Sequence, residues 1–317
     1  MYKNVLITGY TGFVGQNLYQ YLGSGIKSTL VSRNVSSESS SIRSGDKVTD
    51  YAALRDSQDG FQAYIHLAGK AHDLKNTADD QAYFDANYGL TKEIYDRFLD
   101  DEQAEVFVFV SSVKAASDQP DEVLTEAHSP DPVTAYGKSK LKAEEYIQAN
   151  LPEGKSVVIL RPCMIHGPGN KGNLNLLYSI VSRGIPWPLG AFDNNRSFLS
   201  IDNFCSVIEE ILEGKFTSGV YNIADNKPLS TRDLVELIAN VSDRKPRIWN
   251  TPKPLINLIA KAGNVLPLPL NEERLQKLTE NYVVSNEKLV SELGKPLPVS
   301  AEDGLIKTLQ SFRSGQT

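Results

Sequence analysis

Apolar residues occur along this chain in short blocks that alternate with stretches of helical spacing. Val5-Leu6-Ile7 is a compact apolar run ending in a glycine turn, and Gln16 to Leu22 then spaces its apolar residues for a helix, predicting strand, turn and helix. Ser28-Thr29-Leu30-Val31 predicts a second strand, Lys47-Val48 a weak third and Ala63 to Leu67 a fourth. The polar and aromatic stretch from Asp79 to Leu99 reads as one long helix. Val106-Phe107-Val108-Phe109-Val110 is apolar at every position, as a parallel strand covered on both faces must be. A helix over 134–149 and a strand over Ser156–Leu160 follow. This alternation implies right-handed crossovers and a doubly wound α/β domain, a parallel Rossmann sheet.

Past Arg161 the texture changes. Two glycine- and proline-rich loops, 167–173 and 184–190, precede a helix over 202–213 and a run from Gly219 to Ile223 that returns to the main sheet. Residues 226–317 then hold several helices broken by prolines, suiting a smaller, mostly helical lobe over the nucleotide. The division expected is a dinucleotide-binding domain of 1–166, with 198–224 returning to it, and a substrate lobe of 167–197 and 225–317. Pro254 to Ala262, with Lys253 and Lys261 at its ends, reads as a helix buried in that lobe rather than one lying on a membrane.

Composition narrows the function classes. At 317 residues the chain suits one large domain with an appended lobe, and 40% hydrophobic with 23% charged residues is ordinary for a soluble globular protein. A net charge of −6 argues against nucleic acid as a partner. No apolar run reaches the ~20 residues of a membrane helix, and the chain opens on a strand rather than a secretory signal, so the expected location is cytoplasmic. Cys163 and Cys205 lie in apolar segments and read as reduced core residues. His66 sits within a strand and reads as a satisfied buried residue, while His72, His128 and His166 lack metal-ligand spacing, so no metal is assigned.

The chemistry-bearing residues begin with Gly9, Gly12 and Gly15, which follow a strand and open a helix. Gly9 allows the tight turn, Gly12 lets backbone approach a pyrophosphate, and Gly15 lets the helix, starting with Phe13 and Val14, pack on the strand. The helix N-terminus offers free N–H groups to that anion. At the end of the second strand, where an NAD-binding unit usually places a carboxylate, the chain reads Ser32-Arg33-Asn34. Arg33 can pair with a 2′-phosphate, which favours NADP(H) and leaves NAD(H) open. Asp50 is a candidate adenine contact, and Leu67, Ala68 and Gly69 let the chain run close to the cofactor.

Tyr136 and Lys140 are four residues apart, so on one helix they share a face. A cation beside a phenol stabilises the phenolate and brings its proton exchange toward neutral pH. With the glycine loop and Ser111-Ser112 upstream, the set reads as hydride-transfer chemistry, with Lys140 lowering the phenol pKa. Glu144 and Glu145 read as a solvated helix face, and Lys138 as solvent-facing. The rival class is a non-catalytic dinucleotide-binding module, against which the intact Ser–Tyr–Lys set speaks.

Thr8–Gly15, His66-Leu67-Ala68-Gly69, Asn87, Ser111-Ser112, Tyr136-x-x-x-Lys140 and Leu160-Arg161-Pro162 followed by Gly167-Pro168-Gly169 together resemble the extended short-chain dehydrogenases/reductases, the NAD-dependent epimerase/dehydratase family. Ser111-Ser112-Val113-Lys114, the Gly167–Asn173 loop and the Pro186–Arg196 segment look like its UDP-N-acetylhexosamine enzymes of bacterial surface-polysaccharide synthesis. Some of those are 4-epimerases that keep NAD bound, others 4-keto-6-deoxy-sugar reductases of the quinovosamine type. The resemblance implies Ser112, Tyr136 and Lys140 as the catalytic set and Asn87 as a support of the cofactor region. It places Pro162 and Cys163 against the nicotinamide. Asn173, Leu174, Arg196 and Arg274 match positions that grip the nucleotide diphosphate or uracil of a UDP-sugar. Relatives often pair through the two helices that include the Tyr136 one, which leaves a homodimer open. Ser32-Arg33, in place of the acid of tightly NAD-holding epimerases, favours the reductase; Val113-Lys114, where a 4,6-dehydratase needs carboxylates, sets that activity aside.

Overall fold

The computed structural model describes residues 2–33, 35, 42–70, 79–170, 172–214, 216–264, 266 and 270–314. In chain order the elements are β1 (Asn4–Thr8), α1 (Phe13–Leu22), β2 (Lys27–Val31), β3 (Lys47–Thr49), α2 (Tyr51–Asp56), β4 (Ala63–His66), α3 (Asp80–Phe84), α4 (Leu90–Asp100), β5 (Val106–Val110), α5 (Ala135–Ala149), β6 (Ser156–Pro162), β7 (Met164–His166), α6 (Asn173–Val181), β8 (Phe198–Ser200), α7 (Ile201–Leu212), β9 (Gly219–Ile223), α8 (Thr231–Val241), α9 (Lys253–Gly263), α10 (Glu272–Thr279), α11 (Glu287–Leu293) and α12 (Ala301–Arg313). Among the described residues seven strands form one parallel sheet in the order β3-β2-β1-β4-β5-β6-β9, while β7 and β8 pair apart from it.

Period-two geometry sorts the continuous apolar run of β5 between two cores. Phe107 and Phe109 join an aromatic cluster with Tyr64, Tyr95 and Phe98, while Val106, Val108 and Val110 face a core shared with Leu18, Phe204 and Ile208. On the aromatic side Tyr95 meets Phe107 edge-on, with ring centroids 4.9 Å apart. A third cluster, built from Leu177, Trp187, Leu234, Ile256 and Leu305 among others, forms the core of the helical lobe.

Register decides what the sheet presents. Thr8 lies opposite Val31 and His66, Val110 opposite Leu160, and Pro162 opposite Ile223, so the carboxyl ends of the strands share one edge. Chain order reverses on either side of β1, and a crevice for a ligand opens there in sheets of this kind.

Two elements differ from the pattern reading. The helix predicted over 79–99 is interrupted by one wide π turn, Asp85–Gly89, between α3 and α4. That turn carries Asn87 inward, and π turns are frequent where a helix serves a site. The helix at Pro254–Ala262 is not buried in the lobe: of α9 only Ile256 and Ala260 are buried, because a single arc of it meets the lobe core. Among the described residues no helix is long and apolar enough to cross a membrane. The Ser-rich loop of 36–41 and His72 lie outside the described residues.

Candidate active site

The glycine turn after β1 is held by close backbone approach. Gly9 has φ 71°, in the left-handed region, and a Cβ there would lie 2.7 Å from the Ala68 amide nitrogen. At Gly15 a Cβ would sit 2.4 Å from both the Gly9 carbonyl oxygen and Tyr10 Cα. Gly12 is more open, a Cβ there meeting the Gly9 oxygen at 3.4 Å. It begins α1 without a side-chain cap, so the first amides of a ten-residue helix keep their positive potential for an anion. This cradle fits the pyrophosphate of a dinucleotide. Phe13 and Val14 pack on the main core beside it.

Ser32 is buried and Arg33 exposed at the carboxyl end of β2. The Arg33 charge is felt at Tyr51, whose phenol burial pushes up to about 12 and Arg33 draws down. Asp50 caps α2, accepting the Ala53 N–H at 2.7 Å. Arg33 and Asp50 therefore stand at the same sheet edge as the glycine turn.

After β4 the chain is fastened from both sides. Ala68 donates its N–H to the Thr8 hydroxyl at 3.2 Å, and Asn87 accepts the Lys70 N–H at 2.7 Å. The Asn87 amide also donates to the Ser139 hydroxyl at 3.0 Å, tying this segment to α5. A Cβ on Gly69 would lie 2.7 Å from the Asn87 side-chain oxygen and 3.2 Å from Lys140 Nζ. His66 is satisfied, with Thr8 at 2.7 Å and Thr91 at 3.0 Å. Burial first, and the Lys140 charge second, drop its pKa to about 3, so it is neutral.

Helix α5 starts on a built cap. The Thr134 hydroxyl accepts the Gly137 N–H at 3.1 Å, and the Asp118 carboxylate accepts the Val133 and Thr134 N–H groups at 2.8 and 3.0 Å. A Cβ on Gly137 would come within 2.4 Å of the Lys114 carbonyl oxygen, so glycine lets the short turn after β5 lie against the helix. Ser112 caps that turn, accepting the Lys114 N–H at 3.2 Å, and its hydroxyl hydrogen-bonds the Tyr136 phenol. Tyr83 meets Tyr136 edge-on, centroids 6.3 Å apart. Lys140 is 4% exposed and donates to the Val110 carbonyl at 2.9 Å.

Two sequence expectations are corrected here. The Tyr136 phenol is raised, not lowered: burial dominates, Tyr83 and Asp118 add to it, and only the Ser112 hydrogen bond opposes. The Lys140 ammonium is engaged by Val110, and burial, only partly offset by Glu144, draws its own pKa down to about 8. Glu144 is not solvated either; it is fully buried and chelated by Arg161, Nε to Oε1 at 3.0 Å and Nη2 to Oε2 at 2.5 Å. It also accepts the Ser111 hydroxyl. Glu144 lies one turn beyond Lys140 on the face toward the sheet, while Glu145 beside it is exposed, as is Lys138. Arg161 within an apolar strand was the signal that a carboxylate had to face it.

The residues matched to substrate gather only in part. Pro162 ends β6, and Cys163 follows, buried, its N–H on the Ile223 carbonyl at 3.0 Å and its thiol raised by burial. Both cysteines are free and buried. Arg196 donates to the Lys277 carbonyl at 2.7 Å and pairs with Glu280 at 3.6 Å. Arg274 is exposed on α10, one turn ahead of Lys277. The Leu174 side chain belongs to the lobe core, and that of Asn173 lies outside the described residues. Trp187 is likewise in the lobe core.

Lys114 was read as part of the Ser-Ser-Val-Lys match and as a missing carboxylate, with no role of its own. It stands two residues after Ser112, 4.4 Å over the Tyr282 ring, donates to the Asp118 carbonyl, and has its pKa lowered chiefly by burial. Arg196, Lys277 and Glu280 all act on it electrostatically, so it joins the Ser112 turn to the Arg196 cluster. Tyr83, four residues before Asn87, was legible by helical spacing. No group of His, Cys, Asp and Glu able to hold a metal occurs among the described residues.

The profile of a family described as NAD dependent epimerase/dehydratase matches residues 5–224. A UDP-glucose 4-epimerase of Vibrio cholerae is 29% identical, covering 98% of this chain and 96% of its own. The N-acetyl-alpha-D-glucosaminyl-diphospho-ditrans,octacis-undecaprenol 4-epimerase of Escherichia coli O157:H7 is 27% identical over 98% of this chain and 95% of its own. Among solved structures, RMD from Pseudomonas aeruginosa complexed with NADPH superposes with a TM-score of 0.72 at 21% identity, covering 98% of this chain and all of that one.

Proposed function

The chain belongs to the NAD-dependent epimerase/dehydratase family, an enzyme family of sugar nucleotides, and on that premise we propose that it reduces the C4 ketone of a UDP-4-keto-6-deoxy-N-acetylhexosamine with NADPH in surface-polysaccharide synthesis. The observation that carries this reading is Arg33, exposed at the end of β2 at a position where retained NAD calls for a carboxylate. A guanidinium there pairs with a 2′-phosphate and suits a cofactor that is exchanged at every turnover.

When bound, the nicotinamide supplies the hydride that reduces C4. Ser112 and Tyr136, already hydrogen-bonded to each other, hold the carbonyl oxygen as its negative charge grows. Tyr136 transfers its phenolic proton to that oxygen, leaving an alcohol, and recovers a proton from solvent. Its raised pKa keeps it protonated at neutral pH, as a general acid must be. Lys140 reaches past Gly69 to bind the nicotinamide ribose. Pro162 and Cys163 give the ring a backbone wall. Arg196 and Arg274 grip the diphosphate, and Asn173 and Leu174 contribute backbone from the start of α6, the Leu174 side chain being taken up by the lobe core. On this reading 167–197 and 225–317 form the substrate lobe.

A second reading, 4-epimerisation with permanently bound NAD, is favoured by both relatives being named 4-epimerases, one of them for a polyprenol-linked sugar. The deciding assay presents purified protein with a UDP-4-keto-6-deoxy-N-acetylhexosamine and NADPH. Stoichiometric NADPH oxidation supports the reductase. Interconversion of UDP-GlcNAc and UDP-GalNAc by protein that retains its cofactor through purification overturns it.

A further inference from the structure

Helix α9 carries two apolar arcs, and only one of them is covered. Ile256 and Ala260 face the lobe core. Leu255, Leu258, Ile259 and Ala262 recur at the i, i+3, i+4, i+7 spacing of a second stripe, and the first three are 49%, 65% and 39% exposed. Leu266, just past the helix, is 55% exposed, and Trp249, just before it, 60%. Single exposed leucines are ordinary, but a helical row of them bracketed by an exposed tryptophan is not.

Charge says what the row meets. From 244 to 271 the chain carries Arg244, Lys245, Arg247, Lys253 and Lys261 and no Asp or Glu, within a protein of net charge −6. All five cations are exposed, and Asp243 just ahead is paired with Arg313 at 2.8 Å. A second copy of the helix would fit poorly, since antiparallel pairing of the row brings Lys253 of one toward Lys261 of the other. An anionic bilayer satisfies both features: leucines enter the headgroup boundary, tryptophan sits at it, and lysine stems reach up to the phosphates. We infer that α9, with Trp249 and Leu266, is a docking face for an anionic phospholipid surface. Asn264, beyond the end of α9, bonds Glu272 of α10, whose Lys277 carbonyl holds Arg196, so the docking face is linked to the Arg196 cluster. This face stands independently of which reaction the site performs.

Sedimentation of the full chain with phosphatidylglycerol or phosphatidylcholine vesicles tests it. The protein pellets with the first and not the second, and Trp emission shifts to the blue; Trp187 is 6% exposed, so the shift reports Trp249. Changing Leu258→Glu with Ile259→Glu lowers binding about tenfold or more, and Lys261→Glu alone about fivefold, with unchanged thermal unfolding since all three side chains are exposed. Absence of binding to phosphatidylglycerol, or binding that survives the double change, overturns the inference. So does a dimer that the double change converts to monomer while neither form binds vesicles.

Discussion

Lys140 shows how much a single buried cation is asked to do. Its pKa falls from 10.5 to about 8, burial outweighing the Glu144 carboxylate one turn away. As pH rises through about 8 the ammonium discharges, so with Lys140 on the ribose as proposed, NADPH affinity of the cofactor-free protein declines over that range, which fluorescence titration will follow. Glu144→Gln removes the influence that holds this pKa up, and the midpoint moves to lower pH. The effect on stability has the opposite sense. Between about 8 and 10.5 the unfolded chain binds the proton more readily, so the cost of burying this charge is present below pH 8 and fades as pH rises. At Tyr136, replacement by Phe leaves the fold intact and lowers turnover by about 10²–10⁴, read as kcat with cofactor binding unchanged. At Arg33, replacement by Ala weakens NADPH binding by about tenfold or more while sparing NADH. Tyr136 and Lys140 were legible because helical spacing alone puts them on one face. The burial of Glu144 was not, since nothing local distinguishes it from Glu145.

Helix α5 is the element on which the candidate site is assembled, and its neighbours explain its position. Asp118 clamps its first turn, Gly137 admits the Lys114 carbonyl, and the Glu144–Arg161 pair pins its middle to β6. Gly137→Ala forces the Ser112 turn away from the helix. Turnover falls while cofactor affinity holds, and stability drops by about 1–3 kcal/mol, measured by denaturant unfolding. Glu144→Ala strands the Arg161 charge in the core and costs about 3–5 kcal/mol, visible as a fall in Tm. At this scale the pattern reading located nearly every strand and helix of the sheet. It missed the π turn at Asp85–Gly89, because apolar spacing records where a helix lies and not the register slip that turns Asn87 inward. It also buried α9 in the lobe, since two adjacent apolar arcs look like one broad buried face.

Across the whole molecule, the segment around Tyr282 joins the sheet domain to the helical lobe. Its phenol donates to the Ser117 carbonyl at 2.6 Å, while the Ser197 N–H donates to the Tyr282 carbonyl and the Leu124 N–H to that of Val283. Tyr282→Phe leaves that carbonyl unpartnered at a cost of about 1–3 kcal/mol. Freed of that bond, the ring under Lys114 shifts beside the Ser112 turn, so on the proposed function KM for the nucleotide sugar rises more than kcat falls, a split that steady-state kinetics resolves.

The amino-acid order by itself determined the parallel sheet, the glycine cradle and the Ser112, Tyr136 and Lys140 set, because each is written in periodicity or short spacing that backbone geometry turns directly into position. Tertiary structure alone decided which charges are dry, where Arg196 finds Glu280, and that α9 keeps a bare apolar face. Those depend on which distant segment arrives opposite a side chain, and burial there sets protonation and partner alike.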